Sequence, residues 1–208
     1  MATAMARPRT MTDEEIREAA RAVFVDQGPA APVASIARRL GVTSPALFHR
    51  VGTKEELLRI ALGSGKPDGI ERLVAEPPDE GARQELLSIL GELMVFFQRV
   101  VPNLLVLKAA RVSAAQTSSS PLGGPPPVVL RRLLASWLAR ASARGSLGAL
   151  DPTALAEGLL GAMEARCFNA YLGGSDYAPG DDTSFLSSLV HGLAPPPLLH
   201  PTKRKRTR

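Results

Sequence analysis

Residues 33–62, VASIARRLGVTSPALFHRVGTKEELLRIAL, constrain this chain more than any other stretch. Val33, Ile36, Ala37 and Leu40 follow the i, i+3, i+4, i+7 spacing that places them on one helical face. Gly41 can take positive φ at low steric cost, so the chain can turn sharply there. Val42 can plug the corner, Thr43 or Ser44 can N-cap a second helix, and Pro45 suits its first turn. That second helix, Pro45 to about Val51, turns Leu47 and Val51 inward and leaves Ala46, Phe48, His49 and Arg50 outside. Thr53 caps a third helix, with Glu56 three residues on as the other half of a capping box. Short helices crossing at a glycine turn, the outer one polar and basic, suit insertion into a DNA major groove.

These residues resemble the DNA-binding end of the TetR family of transcriptional regulators. The resemblance begins at Ile16–Gly28, where Ile16, Ala19, Ala20, Val23 and Phe24 form one apolar face and Gly28 ends the helix. It continues through Ile36-Ala37, Gly41-Val42-Thr43, Leu47-Phe48-His49 and Gly52-Thr53-Lys54-Glu55-Glu56-Leu57, about a quarter of the chain. Two features depart from the family pattern. Pro29-Ala30-Ala31-Pro32 replaces the usual aromatic and the hydroxyl that starts the second helix. Pro32 fits a first helical position, but a hydroxyl contact to phosphate is lost there. Val51 stands where an aromatic is usual, a smaller plug. Neither change removes the groove-facing surface.

Each residue of the candidate recognition helix has a chemical use on DNA. Thr43 and Ser44, at its positive N-terminus, can donate to phosphate. Pro45 and Ala46 are small and apolar enough to lie against a thymine methyl. His49 can reach a base edge or a phosphate, and Arg50 a phosphate or a guanine. The resemblance puts Phe48 where the family has Tyr, able to pack on the backbone but not to donate, and makes Lys54 a phosphate clamp. Arg38 and Arg39 are solvent-facing charges within possible reach of phosphate.

The charge balance supports DNA at one end only. The net charge is +5, and Lys203, Arg204, Lys205, Arg206 and Arg208 account for all of it. Residues 1–66 hold ten Lys or Arg against seven Asp or Glu, whereas residues 67–202 hold ten against thirteen. A basic N-terminal part and an acidic middle fit a nucleic-acid face confined to the first part. The chain divides into a flexible N-terminus (1–11), a helix-turn-helix domain (12–62), a helical domain (63–198) and a basic disordered tail (199–208). That tail can add salt-dependent, non-specific phosphate affinity. No apolar run approaches the roughly 20 residues that span a bilayer. Arg7 and Arg9 are followed by no apolar signal segment. The one cysteine, Cys167, excludes an internal disulfide. A cytoplasmic protein, on the nucleoid when DNA-bound and without a membrane partner, is the expectation.

Beyond residue 62 the pattern is nearly all helical, after a loop from Gly63 to Asp68, and predicts an all-α fold. Apolar spacing predicts a helix from about Glu80 to Val101, broken by Pro102 and restarted at Asn103. Thr117 to Pro127 is rich in Ser, Gly and Pro and reads as a loop. Further helices run over Val128 to Arg144, Pro152 to about Leu172 behind Asp151, and Asp182 to about Leu193. The resemblance makes this a ligand-binding and dimerisation domain, its last two helices pairing with a second copy through Leu155, Leu159, Phe185, Leu189 and Leu193, with Met163 at or beneath the seam. It also assigns the ligand pocket to Met94, Phe97, Leu104, Lys108, Trp137 and Met163. Lys108 or Arg111, if turned inward, needs an acid or a ligand carboxylate, which points to an apolar, anionic effector.

Catalysis finds no footing. His49, His191 and His200 are far apart, Cys167 has no nearby His or second Cys, and Gly63-Ser64-Gly65-Lys66 lacks the upstream glycine and strand of a phosphate loop. No metal-ligand spacing and no cofactor motif is present. The resulting expectation is a homodimeric, effector-responsive repressor on a palindromic DNA operator, not an enzyme. Its rival is a helical ligand-binding dimer that has lost operator recognition, for which Ala31-Pro32 and Val51 are the only support.

Overall fold

Thr12 starts the first helix with a reciprocal cap. Its hydroxyl accepts from the Glu15 N–H at 3.1 Å, while its own N–H donates to Glu15 Oε2 at 2.9 Å. In the computed structural model, which describes residues 11–63, 65–112, 126–148, 151–176, 178 and 180–193, every regular element is helical. The 199–208 tail with His200, residues 1–10, Ser64 and most of the 117–127 stretch lie outside the described residues.

Helix α1 (Asp13–Gln27) buries Ile16, Ala19, Ala20, Val23 and Phe24. Helix α2 (Val33–Leu40) buries Val33, Ile36, Ala37 and Leu40, with Pro32 at the cap rather than at the first helical position. Gly41 then takes the left-handed conformation (φ 70) that the turn requires. Helix α3 (Ser44–Val51) is capped by Thr43, and helix α4 (Lys54–Leu62) by Thr53. The expected capping box at α4 is only half formed. Thr53 accepts from the Glu56 N–H at 3.1 Å, but the Glu56 carboxylate pairs with Arg59 instead of reaching back. α1 packs on α2 and α4, and α3 packs on α2 and α4, around Phe24, Ile36, Leu47, Leu57 and Leu62.

The chain forms two compact units. One comprises residues up to Lys66 together with Arg99–Pro126; the other comprises Pro67–Gln98 together with the residues from Pro127. Helix α6 (Ala82–Ala109) contributes to both, and Val106 and Leu107 belong to the core of the first. Pro102 does not break this helix, contrary to the sequence expectation. Its missing N–H leaves the Gln98 carbonyl without the usual helical partner. Val100, Pro102 and Asn103 are nevertheless buried, and burial of that face outweighs one lost bond. α6 also corrects the hydropathy reading. By length and composition alone it could cross a membrane, with a mean hydropathy of 1.5 over its most apolar window, yet 56% of that window is buried within the fold.

The second unit holds α5 (Ile70–Val74), which the periodicity did not reveal, α7 (Pro126–Ala143), α8 (Pro152–Gly173), a short 3-10 turn (Gly174–Asp176) and α9 (Asp182–Leu193). Arginines tie these elements together. Arg140 Nη2 donates to the Leu73 and Ala75 carbonyls at 3.0 and 2.9 Å, satisfying the C-terminus of α5. Arg131 joins α7 to α8 through Glu157 and Glu164 at 3.0 and 2.6 Å. Arg166 of α8 bonds Asp182 of α9 at 2.8 Å and lies 4.5 Å over the Phe185 ring.

Candidate nucleic-acid interface

Leu47, fully buried, anchors α3 and so decides which of its side chains face out. With Leu47 inward, Pro45, Ala46, Phe48, His49 and Arg50 are exposed, Ser44 is half-buried and Val51 is partly buried. Thr43 Oγ1 accepts from the Ala46 N–H at 3.3 Å, which satisfies one of the free amides of the first turn. The remaining amides and the helix dipole leave this end attractive to an anion. The left-handed turn at Gly41 closes with Gly41 N–H to Arg38 O at 3.1 Å and Val42 N–H to Ala37 O at 3.0 Å, fixing how α3 departs from α2.

Three cations lie at the edges of this face. Lys54 opens α4, half-buried, with no ion-pair partner among the described residues. Arg38 and Arg39 are exposed in the last turn of α2. Arg50 is committed differently from the sequence expectation, because its Nη2 lies 2.6 Å from Asp13 Oδ1. Asp13 is thus a residue of this surface that the sequence reading did not single out. The Thr12-x-x-Glu15 pattern marks the helix start and places Asp13 in its first turn, but the pairing spans 37 residues and has no local signal. A short capped helix with a buried anchor and an outward face of small, aromatic and basic side chains can enter a major groove.

Residues 16–60 match the family model of bacterial regulatory proteins, tetR family. The N-terminal domain belongs to the TetR family. No curated protein is significantly similar to the chain. Solved structures share its fold. SmeT, the repressor of the Stenotrophomonas maltophilia multidrug efflux pump SmeDEF, is 18% identical with a TM-score of 0.60, over 89% of this chain and 91% of its own. The transcriptional regulator FadR from Bacillus subtilis, in complex with stearoyl-CoA, is 15% identical with a TM-score of 0.62, over 88% and 98%. NalD, the secondary repressor of the MexAB-OprM multidrug efflux pump in Pseudomonas aeruginosa, is 18% identical with a TM-score of 0.58, over 88% and 96%.

Outside the TetR-family domain the expected pocket residues divide. Met94, Phe97, Trp137 and Met163 belong to the second unit and are at most 2% exposed. Leu104 and Lys108 belong to the first. Lys108 is exposed rather than turned inward, in the last turn of α6, where a cation suits the negative helix end. Arg111, the alternative, is exposed as well, so the anionic-effector expectation loses both of its cations. Of the expected dimer residues, Leu155 and Leu159 are buried within their own chain, Phe185 and Leu189 are partly buried, and Leu193 is exposed. α8 also exposes Phe168 and Leu172, which the sequence reading left aside. Cys167 is buried with its Sγ 3.7 Å from Met94 Sδ, and burial pushes its pKa up to about 11. Among the described residues no three His, Cys, Asp or Glu side chains group as a metal site needs.

Proposed function

We propose that the protein is a DNA-binding transcriptional repressor that reads a palindromic operator as a homodimer and releases it when a small molecule binds. The observation that carries the reading is the outward face of α3: Ala46, Phe48, His49 and Arg50 exposed around a buried Leu47, on a helix whose N-terminus is capped by Thr43. One such helix contacts few base pairs, so a dimer with two recognition helices about 34 Å apart supplies the second half-site. Exposed Phe168, Leu172 and Leu193 on α8 and α9 favour these helices as the pairing surface, since apolar side chains of that size gain from a partner.

The effector part rests on the second unit. Met94, Phe97, Trp137 and Met163 are apolar and nearly inaccessible, so a ligand that reaches them must bind a conformation in which the helices have parted. Such a ligand lowers operator affinity by its differential affinity for the two states and by no more. A DNA-bound regulator with these properties works in the cytoplasm. The experiment is a titration of labelled duplexes with the purified protein over a KCl series. Sequence-selective, salt-steep binding supports the reading; equal binding to all duplexes favours a ligand-binding dimer without operator recognition.

A further inference from the structure

Arg111 is the one non-glycine among the described residues with positive φ, at 57°. It closes the end of α6, where Arg111 N–H donates to Lys108 O and Val112 N–H to Leu107 O, both at 3.1 Å. The same pair of bonds closes α2 at Gly41 and α7 at Gly145, and both of those residues are glycines, with φ 70 and 72. A left-handed backbone crowds Cβ against the following carbonyl, so glycine is the low-strain residue at this station. The chain places arginine there instead.

Arg111 is exposed at this position. Arg111 and Val112 line an open cleft of about 490 Å³ together with Pro29, Ala30, Lys54 and Glu55. Among the described residues neither Arg111 nor Lys54 has an ion-pair partner. The one carboxylate of the cleft, Glu55, is taken by Arg59 at 3.1 Å. Two uncommitted cations with the local acid already paired complement a phosphate.

We propose that Arg111 is a second phosphate contact of the DNA-binding surface, holding with Lys54 a backbone phosphate of duplex DNA beside the bases that α3 reads. The inference rests on the DNA-binding function proposed above. It gives the end of α6, which lies outside the matched residues 16–60, a direct part in DNA affinity.

The test is fluorescence anisotropy of the full chain with a labelled mixed-sequence duplex over a KCl series, for the wild type, Arg111→Gly and Arg111→Lys, alongside thermal melts. Arg111→Gly relieves the left-handed strain while deleting the charge. It is expected to weaken binding about five- to tenfold and to lower the salt slope by about one, with a melting temperature unchanged or raised. Arg111→Lys is expected to keep the slope. Wild-type affinity and slope in Arg111→Gly overturn the proposal and leave the DNA-binding function standing. Absence of any DNA binding by the wild type overturns both. A fall in melting temperature that accompanies the loss of affinity marks Arg111 as structural and overturns the proposal.

Discussion

Arg50 Nη2 stands 2.6 Å from Asp13 Oδ1, tying the last turn of α3 to the first turn of α1. Both side chains are largely exposed, 53% and 73%, so the pair adds at most about 1 kcal/mol to stability. Its larger effect is on charge, because it neutralises a cation on the outward face of the recognition helix. Asp13→Asn is expected to leave unfolding nearly unchanged, to tighten DNA binding at low salt and to steepen the salt slope. Anisotropy titrations across KCl read this directly. Identical slopes for the two proteins show that Arg50 takes no part in binding.

Lys54 and the α3 side chains are expected to separate affinity from specificity. Lys54→Ala weakens binding to every duplex and flattens the salt slope by about one. Substitution of Ala46 or His49 changes which sequence is preferred, with a discrimination of about 1–3 kcal/mol per base pair affected. Competition titrations with duplexes differing at single positions distinguish the two effects. The reverse assignment would falsify the placement of α3 in the groove.

Arg166 is expected to be the arginine whose loss costs most. Its side chain is 9% exposed, donates to Asp182 at 2.8 Å and to the Gly180 carbonyl at 2.7 Å, and stacks on Phe185. Among the described residues, Arg166→Ala leaves Asp182 with only the Gln98 amide at 2.6 Å as a side-chain partner. A loss of about 1–3 kcal/mol in urea unfolding follows. Arg166→Lys recovers only part of it, since an ammonium does not reproduce the planar fork or the stack. An unchanged midpoint for Arg166→Ala contradicts this.

Acid stability should depend on Glu85. Its hydrogen bond from Arg72 Nε, at 2.8 Å, holds the carboxyl below the usual glutamate range, and the charge of Arg72 adds to this. A carboxylate depressed in the folded state contributes stability that is present above its unfolded pKa of about 4.3 and is lost as pH falls through the folded value. With both groups about one-third exposed, solvent screening keeps the contribution to about 1 kcal/mol or less. Glu85→Gln therefore melts lower than the wild type at pH 7, and the gap narrows from about pH 5 downward. A gap that is constant with pH rules out the ionic origin.

Cys167 should be inert in the folded protein. Burial raises its pKa to about 11, so almost no thiolate exists at pH 8, and the sulfur is shielded as well. Ellman's reagent is expected to react only after urea unfolding. Fast labelling of the native protein contradicts the burial.

Much of the first unit was legible because its signals are local. The apolar spacing of Ile16–Phe24 and Val33–Leu40, the turn at Gly41 and the caps at Thr43 and Thr53 each span a few residues. What escaped is non-local. The Asp13–Arg50 pair joins residues 37 apart, and Val106 and Leu107 enter the first core from a helix that begins at Ala82. Pro102 carries a strong local signal for a break, which buried neighbours override. Leu155 and Leu159 show a different limit, since an apolar stripe reads the same whether it packs on its own chain or on a partner. Lys108 at a helix end likewise has no spacing that tells outward from inward.

The most direct test of the account is selection of bound DNA from a random duplex library by the purified protein, followed by sequencing. Enrichment of a palindrome whose half-sites lie about one helical turn apart is expected, and is lost when His49 and Ala46 are replaced. Salt-sensitive binding with no enriched sequence would contradict it, and would leave general phosphate affinity as the only DNA-related property of the chain.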